Sequence, residues 1–268
     1  MRSLKFWGPE TFEISSFQFR LNDRKNKTFK TSGSDNTGLC TYTYNELGFR
    51  GDDIKKEGFK VMSIGCSNTE GVGVSDFDTW PSQFTRHLPN GVNMNFGTGG
   101  RSNDFIARCL LTYYDSIKPD LVLIMYTSTS RRDVYTKDSG IEPFLPSTSW
   151  GYLKETQEGI KIQENLVELQ NDNEDFINWY KNHLLIKYFL ESKKCNWLWN
   201  GFFGIPEEYK EFNRFDGDYR NFMDKGVDGI HPGPNHNREY SARLFNHVHK
   251  NFREYLPIDL TYYRKELI

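Results

Sequence analysis

Short apolar-rich runs, each followed by glycine or by small polar residues, recur in the chain and constrain its fold more than any other feature. They lie at residues 61–64, 92–96, 121–125 and 195–199. The run at 121–125 is uninterrupted, which is typical of a central strand in a parallel sheet. Between the runs, apolar residues at helical spacing occur at 104–117, and a last helix is predicted at 237–255. This alternation predicts an α/β fold with a mostly parallel sheet and helices on both faces.

Residues 1–58 show a different pattern, and we predict that they form a small β-rich appendage. Apolar and polar residues alternate with the period of a strand at 12–14, 17–21 and 40–44. A segment this short with two or three strands would be marginally stable alone. We therefore expect it to pack on a main α/β domain formed by residues 59–268.

Residues 127–159 show neither the strand period nor the helix period. They follow the third predicted strand, at the edge where open α/β sheets hold their reactive groups. We predict a long loop or a lid over that edge. Residues 160–194 are helical in composition, with a break expected at 171–174.

Charge and hydropathy argue against several classes of partner. The chain has 34 basic and 36 acidic side chains and no basic run, which argues against nucleic acid and against an anionic membrane surface. No apolar stretch is long enough to cross a bilayer. The N-terminal residues lack the apolar core of a secretory signal peptide, so we expect synthesis in a cytosol. Four widely spaced cysteines without a CxxC pair predict reduced thiols.

Ser67 lies just beyond the first apolar run, in the sequence Gly65-Cys66-Ser67. Glycine gives the backbone room for a tight turn, and residues 67–69 offer backbone N–H groups that can face an anion. Since the carboxyl ends of parallel strands carry reactive groups, Ser67 is a candidate nucleophile. Two alternatives stay open at this point. Ser67 could instead cap the following helix, and Cys66 could be the nucleophile.

A second motif, DGIHP at residues 228–232, contains the groups that a nucleophilic serine requires. A serine hydroxyl is a poor nucleophile until a base takes its proton, and histidine titrates near neutrality. Asp228 precedes His231 by three residues and can orient its ring. The motif is also a common loop sequence, and with His236 it could suggest a metal site. The lack of a third histidine or a cysteine nearby argues against a metal.

The chain contains four segments that resemble, in order and spacing, the blocks of the SGNH hydrolases, the GDSL-type esterases and acetylesterases. They are the two motifs just described and the segments 95–100 and 126–133. The resemblance covers residues 59–255. It implies a flavodoxin-like three-layer α/β/α sandwich, to which the N-terminal appendage would be added. It also implies hydrolysis by a serine nucleophile, with neither a cofactor nor a metal.

The resemblance assigns roles to single residues. The first block is GCS where the family has GDS, so Ser67 takes the nucleophile's place, and Asp228 and His231 complete the triad. The N-x-G-x-x-G block is intact, and the N–H of Gly100 would bind the oxyanion together with the N–H of Ser67. The third block of the family ends in G-x-N-D. Its asparagine, which is an oxyanion donor in the family, is absent here. Thr129 lies nearest its place and is the predicted third oxyanion donor, with Arg131 as the second choice.

Arginines near the second and third blocks are predicted to bind substrate. Of the adjacent Arg131 and Arg132, we expect one to form an ordinary salt bridge and the other to bind a carboxylate or a sugar hydroxyl. We assign the substrate contact to Arg131. Arg101, which follows the glycines of the second block, is the other predicted substrate-binding residue.

Two hypotheses of different classes follow. The first is a serine esterase that removes acetyl or another short acyl group from a carbohydrate or similar polyol, through an acyl-enzyme on Ser67. The second is a catalytically weak or inactive binding or structural module that keeps the fold. Chains with GCSxTxG and SRR in these places resemble proteins of phages and other viruses. The second hypothesis therefore includes a virion component with assembly partners.

Overall fold

The structure is a computed structural model that describes residues 24–32, 39–136, 140–144, 156–201 and 221–257, with 205, 209, 211, 213–217 and 219. Its strands are β1 Thr28–Ser32, β2 Leu39–Thr43, β3 Phe59–Gly65, β4 Gly91–Gly97, β5 Leu121–Tyr126, β6 Arg132–Thr136, β7 Gly140–Phe144 and β8 Asn196–Gly201. Its α-helices are α1 Ser67–Glu70, α2 Trp80–Thr85, α3 Asn103–Ile117, α4 Gln157–Leu169, α5 Asp172–Ser192 and α6 Pro234–Asn251. Short 3₁₀ helices lie at Asp76–Asp78 and Arg253–Tyr255. The strands predicted at 12–14 and 17–21 lie outside the described residues.

The main sheet is parallel and contains the four predicted strands in the order β4-β3-β5-β8. Its register pairs Gly65 with both Gly97 and Met125, so β3, β4 and β5 end almost level. The residues that follow these three strands therefore lie at one edge of the sheet. The order of the strands reverses between β3 and β5, which is where open α/β sheets bind their ligands.

Two apolar cores lie on opposite faces of this sheet, because alternate residues of each strand point to opposite sides. Met62 and Ile64 pack with α3 and α5 on one face. Val61 packs with α2 and α6 on the other. Burying one large apolar side chain contributes roughly 1.5–3 kcal/mol, so these two layers account for much of the stability. The arrangement confirms the predicted three-layer α/β/α sandwich.

The ends of two helices that flank the site follow from their sequences. Ser102 caps α3, since its Oγ accepts a hydrogen bond of 3.1 Å from the N–H of Phe105. The last helix begins three residues earlier than predicted, with Pro234 in its first turn, where the missing N–H is not needed. No helix in the described part of the chain has the length and apolar character needed to span a membrane.

The described part of the N-terminal segment, residues 24–32 and 39–58, packs directly on the main sheet. β1 and β2 form an antiparallel hairpin. Phe49 is buried in the core beside Phe96, with ring centroids 4.4 Å apart. Gly51 forms an antiparallel bridge with Met94 at the outer edge of β4. Only glycine fits there, because its φ is +118° and a Cβ would lie 2.4 Å from the carbonyl oxygen of Asn93. The domain boundary at residue 58 stays a prediction.

Part of the segment predicted as a long loop or lid is an antiparallel hairpin, β6–β7. The N–H of Asp133 donates to Asp104 on α3 at 2.8 Å. The carboxylate of Asp133 accepts from Ser102 at 2.6 Å and pairs with Arg108 at 2.5 Å. These polar contacts anchor the hairpin to α3. Residues 132–136 and 140–144 are therefore strands, where the sequence predicted a long loop or a lid.

Candidate active site

The segment after β3, which we call the nucleophile turn (residues 65–73), presents the Ser67 hydroxyl at the sheet edge. Helix α1 starts at Ser67, and its N-cap is Cys66. The alternative in which Ser67 caps the helix is therefore not realised. The Cys66 side chain is buried, whereas Ser67 is partly exposed. Among the described residues no acceptor lies against the N–H of Ser67, as is usual in the first turn of a helix.

The Ser67 hydroxyl contacts a histidine that comes from the far end of the chain. Ser67 Oγ lies 2.9 Å from His231 Nε2, and His231 Nδ1 lies 2.5 Å from Asp228 Oδ2. The side chains of His231 and Asp228 are 24% and 26% exposed, so a small molecule can reach them. The structure thus brings together the three residues that the sequence predicts as a triad.

The charge on Asp228 decides where the protons lie along the path from Ser67 through His231 to Asp228. Burial alone would raise the pKa of its carboxyl. Hydrogen bonds from the His231 ring and from the N–H groups of His231 and Ile230 outweigh burial and lower the pKa below its ordinary value. An ionised carboxylate only accepts, so His231 Nδ1 must donate. Nε2 of the neutral ring then accepts the Ser67 proton, which is the arrangement that a general base requires.

Residues 226–233, the histidine loop, are fixed against the nucleophile turn through Gly73. The carbonyl of Gly73 accepts a hydrogen bond of 2.9 Å from the N–H of Val227. Gly73 has a φ of +87°, and a Cβ there would lie 2.7 Å from Asp228 Oδ1. Asp224 accepts from the N–H groups of Asn235 and His236 and so holds the same loop to the start of α6. Backbone contacts therefore set the position of Asp228.

The segment after β4, the glycine turn (residues 97–100), lies beside Ser67. The Asn95 side chain accepts from the N–H of Gly97 at 2.9 Å and donates to the carbonyl of Thr69 at 2.8 Å, which ties the two turns together. A Cβ at Gly99 would lie 3.8 Å from Ser67 Cβ. Gly100 has a φ of +72°, and no described residue accepts from its N–H. That free donor is consistent with the oxyanion role predicted for Gly100.

The segment after β5, the threonine turn (residues 127–131), lies where the SGNH hydrolases, which the motifs resemble, have an asparagine. Both ends of the Asn103 amide are used on its backbone: Oδ1 accepts from the N–H of Thr127 at 3.0 Å, and Nδ2 donates to the carbonyl of Ser128 at 3.2 Å. Thr129 is buried, with 6% of its surface exposed. The buried hydroxyl of this turn that has no hydrogen-bond partner among the described residues is that of Thr127. The role of Thr129 as an oxyanion donor stays a prediction.

The three arginines near the site have different surroundings. Arg132 pairs with Asp175 at 2.9 Å, whereas Nη1 of Arg131 is buried and has no hydrogen-bond partner among the described residues. This division matches the expectation that one of the two forms a salt bridge. Arg101 is only 4% exposed and places its guanidinium over the ring of Phe105. Such burial leaves little of Arg101 for a substrate, and both substrate-binding roles stay predictions.

The sequence reading missed a carboxylate inside the nucleophile turn. Glu70 is buried and accepts hydrogen bonds from Arg24, Tyr44 and the backbone of Gly99. A glutamate directly followed by glycine in an otherwise uncharged turn was the available signal. In the described part of the chain, no group of three or more His, Cys, Asp or Glu side chains is arranged to hold a metal ion.

No family model matches the sequence, and no curated protein matches it. The structure is similar to the crystal structure of a carbohydrate acetylesterase family member from Sinorhizobium meliloti, at 15% identity and a TM-score of 0.35, over 73% of this chain and 100% of that one. It is also similar to a carbohydrate esterase family 2 enzyme with a carbohydrate binding domain from Corynascus thermopiles (Myceliophthora fergusii), at 8% identity and a TM-score of 0.45, over 81% and 71%. A third likeness, to a member of the lipolytic protein G-D-S-L family from Veillonella parvula, has 12% identity and a TM-score of 0.34, over 70% and 97%. Likenesses this distant carry no activity over to the chain.

Proposed function

We propose that this chain is a serine esterase of the SGNH type, with Ser67 as nucleophile, His231 as general base and acid, and Asp228 as the group that orients the histidine. The observation that carries the proposal is the continuous path from Ser67 Oγ through both ring nitrogens of His231 to Asp228 Oδ2, with steps of 2.9 and 2.5 Å. Both distances lie within the reach that proton transfer needs. The path lies at the reversal point of the sheet, where ligands bind in this class of fold.

In the first half of the reaction, Ser67 Oγ attacks the ester carbonyl carbon while His231 Nε2 takes the hydroxyl proton. The tetrahedral oxyanion would be met by the N–H groups of Ser67 and Gly100, and one such donor typically contributes about 10²–10³ in rate. When the intermediate collapses, the bond to the alcohol oxygen breaks and His231 returns the proton to that oxygen. The products of this half are the free alcohol and an acyl group on Ser67.

In the second half, water replaces the alcohol. His231 takes a proton from the water as its oxygen attacks the acyl carbon, and the same oxyanion donors apply. The bond to Ser67 Oγ then breaks and the proton returns to the serine. The carboxylic acid leaves, and the free enzyme is restored without a cofactor.

The substrate we propose is an ester of a short acyl group on a carbohydrate or similar polyol. Both the short acyl group and the carbohydrate part rest on the family resemblance of the motifs. The acetylesterase and carbohydrate esterase named above agree with it without adding weight.

The decisive experiment is covalent labelling. Incubation with a serine-directed fluorophosphonate, followed by peptide mass spectrometry, should place the label on Ser67, and p-nitrophenyl acetate should be hydrolysed. Labelling of wild type but not of Ser67→Ala is the expected result. Failure of Ser67 to react with the fluorophosphonate would overturn the proposal.

A second candidate is a binding or structural module, with a virion component among its forms. The observation that favours it is the threonine turn, which has no asparagine and whose neighbouring amide, Asn103, is committed to backbone contacts. Absence of label at Ser67 in a folded protein would make this the better account. The candidate predicts that an acylated polysaccharide binds without being changed.

A further inference from the structure

Glu70 is a buried carboxylate beside the proposed active site, at the end of helix α1. It is 2% exposed. Oε1 accepts from Arg24 Nη1 at 2.8 Å and from the Tyr44 hydroxyl at 3.0 Å, while Oε2 accepts from the N–H of Gly99 at 2.6 Å. A buried carboxylate is tolerated only when it is paired and hydrogen-bonded, and these three donors meet that need.

The bond to Gly99 matters because the next residue carries the free N–H of the glycine turn. Gly100 has a positive φ, and a turn built from adjacent glycines has many accessible backbone conformations. An oxyanion donor is effective only when it is fixed before the reaction. Glu70 Oε2 provides the one side-chain acceptor that the described residues offer to the N–H of Gly99.

Glu70 is itself held by the N-terminal segment. Arg24 and Tyr44 both come from that segment, and the Arg24 guanidinium also lies over the Tyr44 ring, 4.9 Å from its centroid. Arg50, also fully buried, donates to the carbonyl oxygens of Glu70, Gly71 and Val74 at 2.9, 2.7 and 3.0 Å. The backbone and the side chain of Glu70 are thus both held by residues of the N-terminal segment.

We infer that Glu70 is a positioning residue for the Gly100 N–H, and that Arg24 and Tyr44 make the N-terminal segment a working part of the site. The expected effect of Glu70 on the rate rests on the proposed function. The structural part of the inference, that Glu70 holds the glycine turn in place, can be tested without an activity assay.

The test compares two double variants that differ only in the acceptor. Arg24→Met with Glu70→Gln removes both charges, and the glutamine oxygen can still accept from Gly99. Arg24→Met with Glu70→Leu removes the acceptor as well. Neither leaves a lone buried charge, so both should fold. We expect kcat of the leucine variant to fall about 10- to 100-fold below that of the glutamine variant, with little change in KM. This loss is smaller than that for removing an oxyanion donor altogether, because the Gly100 N–H is still present.

A second readout is amide hydrogen exchange over residues 97–102, which should be faster in the leucine variant than in the glutamine variant. The matched control is Asp52→Ala. Asp52 accepts from the N–H of Asn93 at 2.9 Å and also joins the N-terminal segment to β4, but near the start of that strand. The Asp52→Ala variant should leave kcat and the rate of amide exchange over residues 97–102 unchanged.

The outcomes separate the two proposals. Equal kcat and equal exchange in the two double variants would overturn the inference while leaving the esterase proposal intact. A wild type that neither labels at Ser67 nor hydrolyses any ester would overturn the esterase proposal, and the exchange comparison alone would then decide whether Glu70 holds the turn. Slower turnover in the Asp52→Ala control, equal to that of the leucine variant, would also count against Glu70, since it would trace the effect to docking of the segment.

Discussion

The nucleophile turn and the threonine turn follow neighbouring strands of one sheet, yet they are held in different ways. Three hydrogen bonds hold the nucleophile turn. The Ser67 hydroxyl is hydrogen-bonded to His231, the Glu70 carboxylate accepts from the N–H of Gly99, and the Gly73 carbonyl accepts from the N–H of Val227. The threonine turn is tied by its backbone to Asn103, while the Thr127 hydroxyl and Nη1 of Arg131 have no partner among the described residues.

The difference separates two parts of the proposed chemistry. Making and breaking bonds to the acyl group needs fixed distances. The nucleophile turn is held at such distances by contacts from three parts of the chain, which are the histidine loop, the glycine turn and the N-terminal segment. Stabilising the negative charge of the tetrahedral intermediate needs hydrogen-bond donors aimed at the oxyanion. The threonine turn carries polar side chains that have no partner in the described part of the chain and could supply such a donor. We expect substitutions in the nucleophile turn to have large effects, and substitutions in the threonine turn to have graded ones.

The largest effect should come from Ser67→Ala. Without the nucleophile, ester hydrolysis should fall by at least about 10³-fold, since the remaining groups of such a site still give some acceleration over water. The melting temperature should stay close to that of wild type, because a small, partly exposed turn residue contributes little packing. Cys66→Ala is the control. Activity that survives in Ser67→Ala and disappears in Cys66→Ala would move the nucleophile to the cysteine.

A smaller effect is expected from Gly73→Ala, which tests how tightly the histidine loop is set. The added Cβ would lie 2.7 Å from Asp228 Oδ1 and would force a left-handed φ on alanine. Displacing a catalytic group by an ångström can lower the rate about 10²-fold. We expect a loss of that order in kcat, and about 1–2 kcal/mol in the free energy of unfolding. Gly229→Ala, at a φ of +69° with nothing within 4 Å, controls for backbone strain. Equal losses in both variants would contradict the role of Gly73.

Substitutions at Thr129 should have a graded effect and would sharpen the comparison. If its hydroxyl supplies the third oxyanion donor, Thr129→Val should lower kcat about tenfold with little change in KM, since a hydroxyl is a weaker donor than the amide it replaces. Thr129→Asn should leave kcat unchanged or raise it. Steady-state kinetics on p-nitrophenyl acetate would measure both. Unchanged kcat in Thr129→Val and in Arg131→Ala would show that neither side chain is the donor.

The smallest effect concerns stability in acid. Because the pKa of Asp228 is lowered in the folded protein, the carboxylate contributes stability that is complete above its unfolded pKa and is lost as the pH falls through the folded pKa. The gap in unfolding free energy between wild type and Asp228→Asn should therefore shrink between about pH 5 and about pH 3. Urea unfolding at the two pH values would measure it. A gap that stays constant or widens would contradict the assignment.

The parts of the fold that the sequence predicts are those in which neighbouring residues share one environment. The uninterrupted run of β5 and the apolar face of α6 formed by Tyr240, Leu244 and Val248 are of this kind. Ser67 and His231 could be paired because the turns that carry them have recognisable local sequences. Each of these features is visible within a few residues of chain.

The features that were missed depend on contacts between distant residues. Arg24 and Glu70 are 46 positions apart, and a charged residue in a turn gives no sign that it is buried. The hairpin β6–β7 was missed for a similar reason, since its anchor to α3 is polar. Periodicity reports burial of apolar faces, and it is silent on ion pairs that tie one segment to another.

The bridge between Gly51 and Met94 has a consequence for any attempt to produce the α/β part alone. Along the outer side of β4, the N–H of Asp52 donates to the carbonyl of Asn93 at 2.8 Å, and the Asp52 side chain accepts from the N–H of Asn93. A protein trimmed at residue 58 would expose these backbone groups as an open strand, ready to pair with the same strand of another molecule. Such a fragment should aggregate on expression, so the N-terminal residues have to be retained in any shortened form.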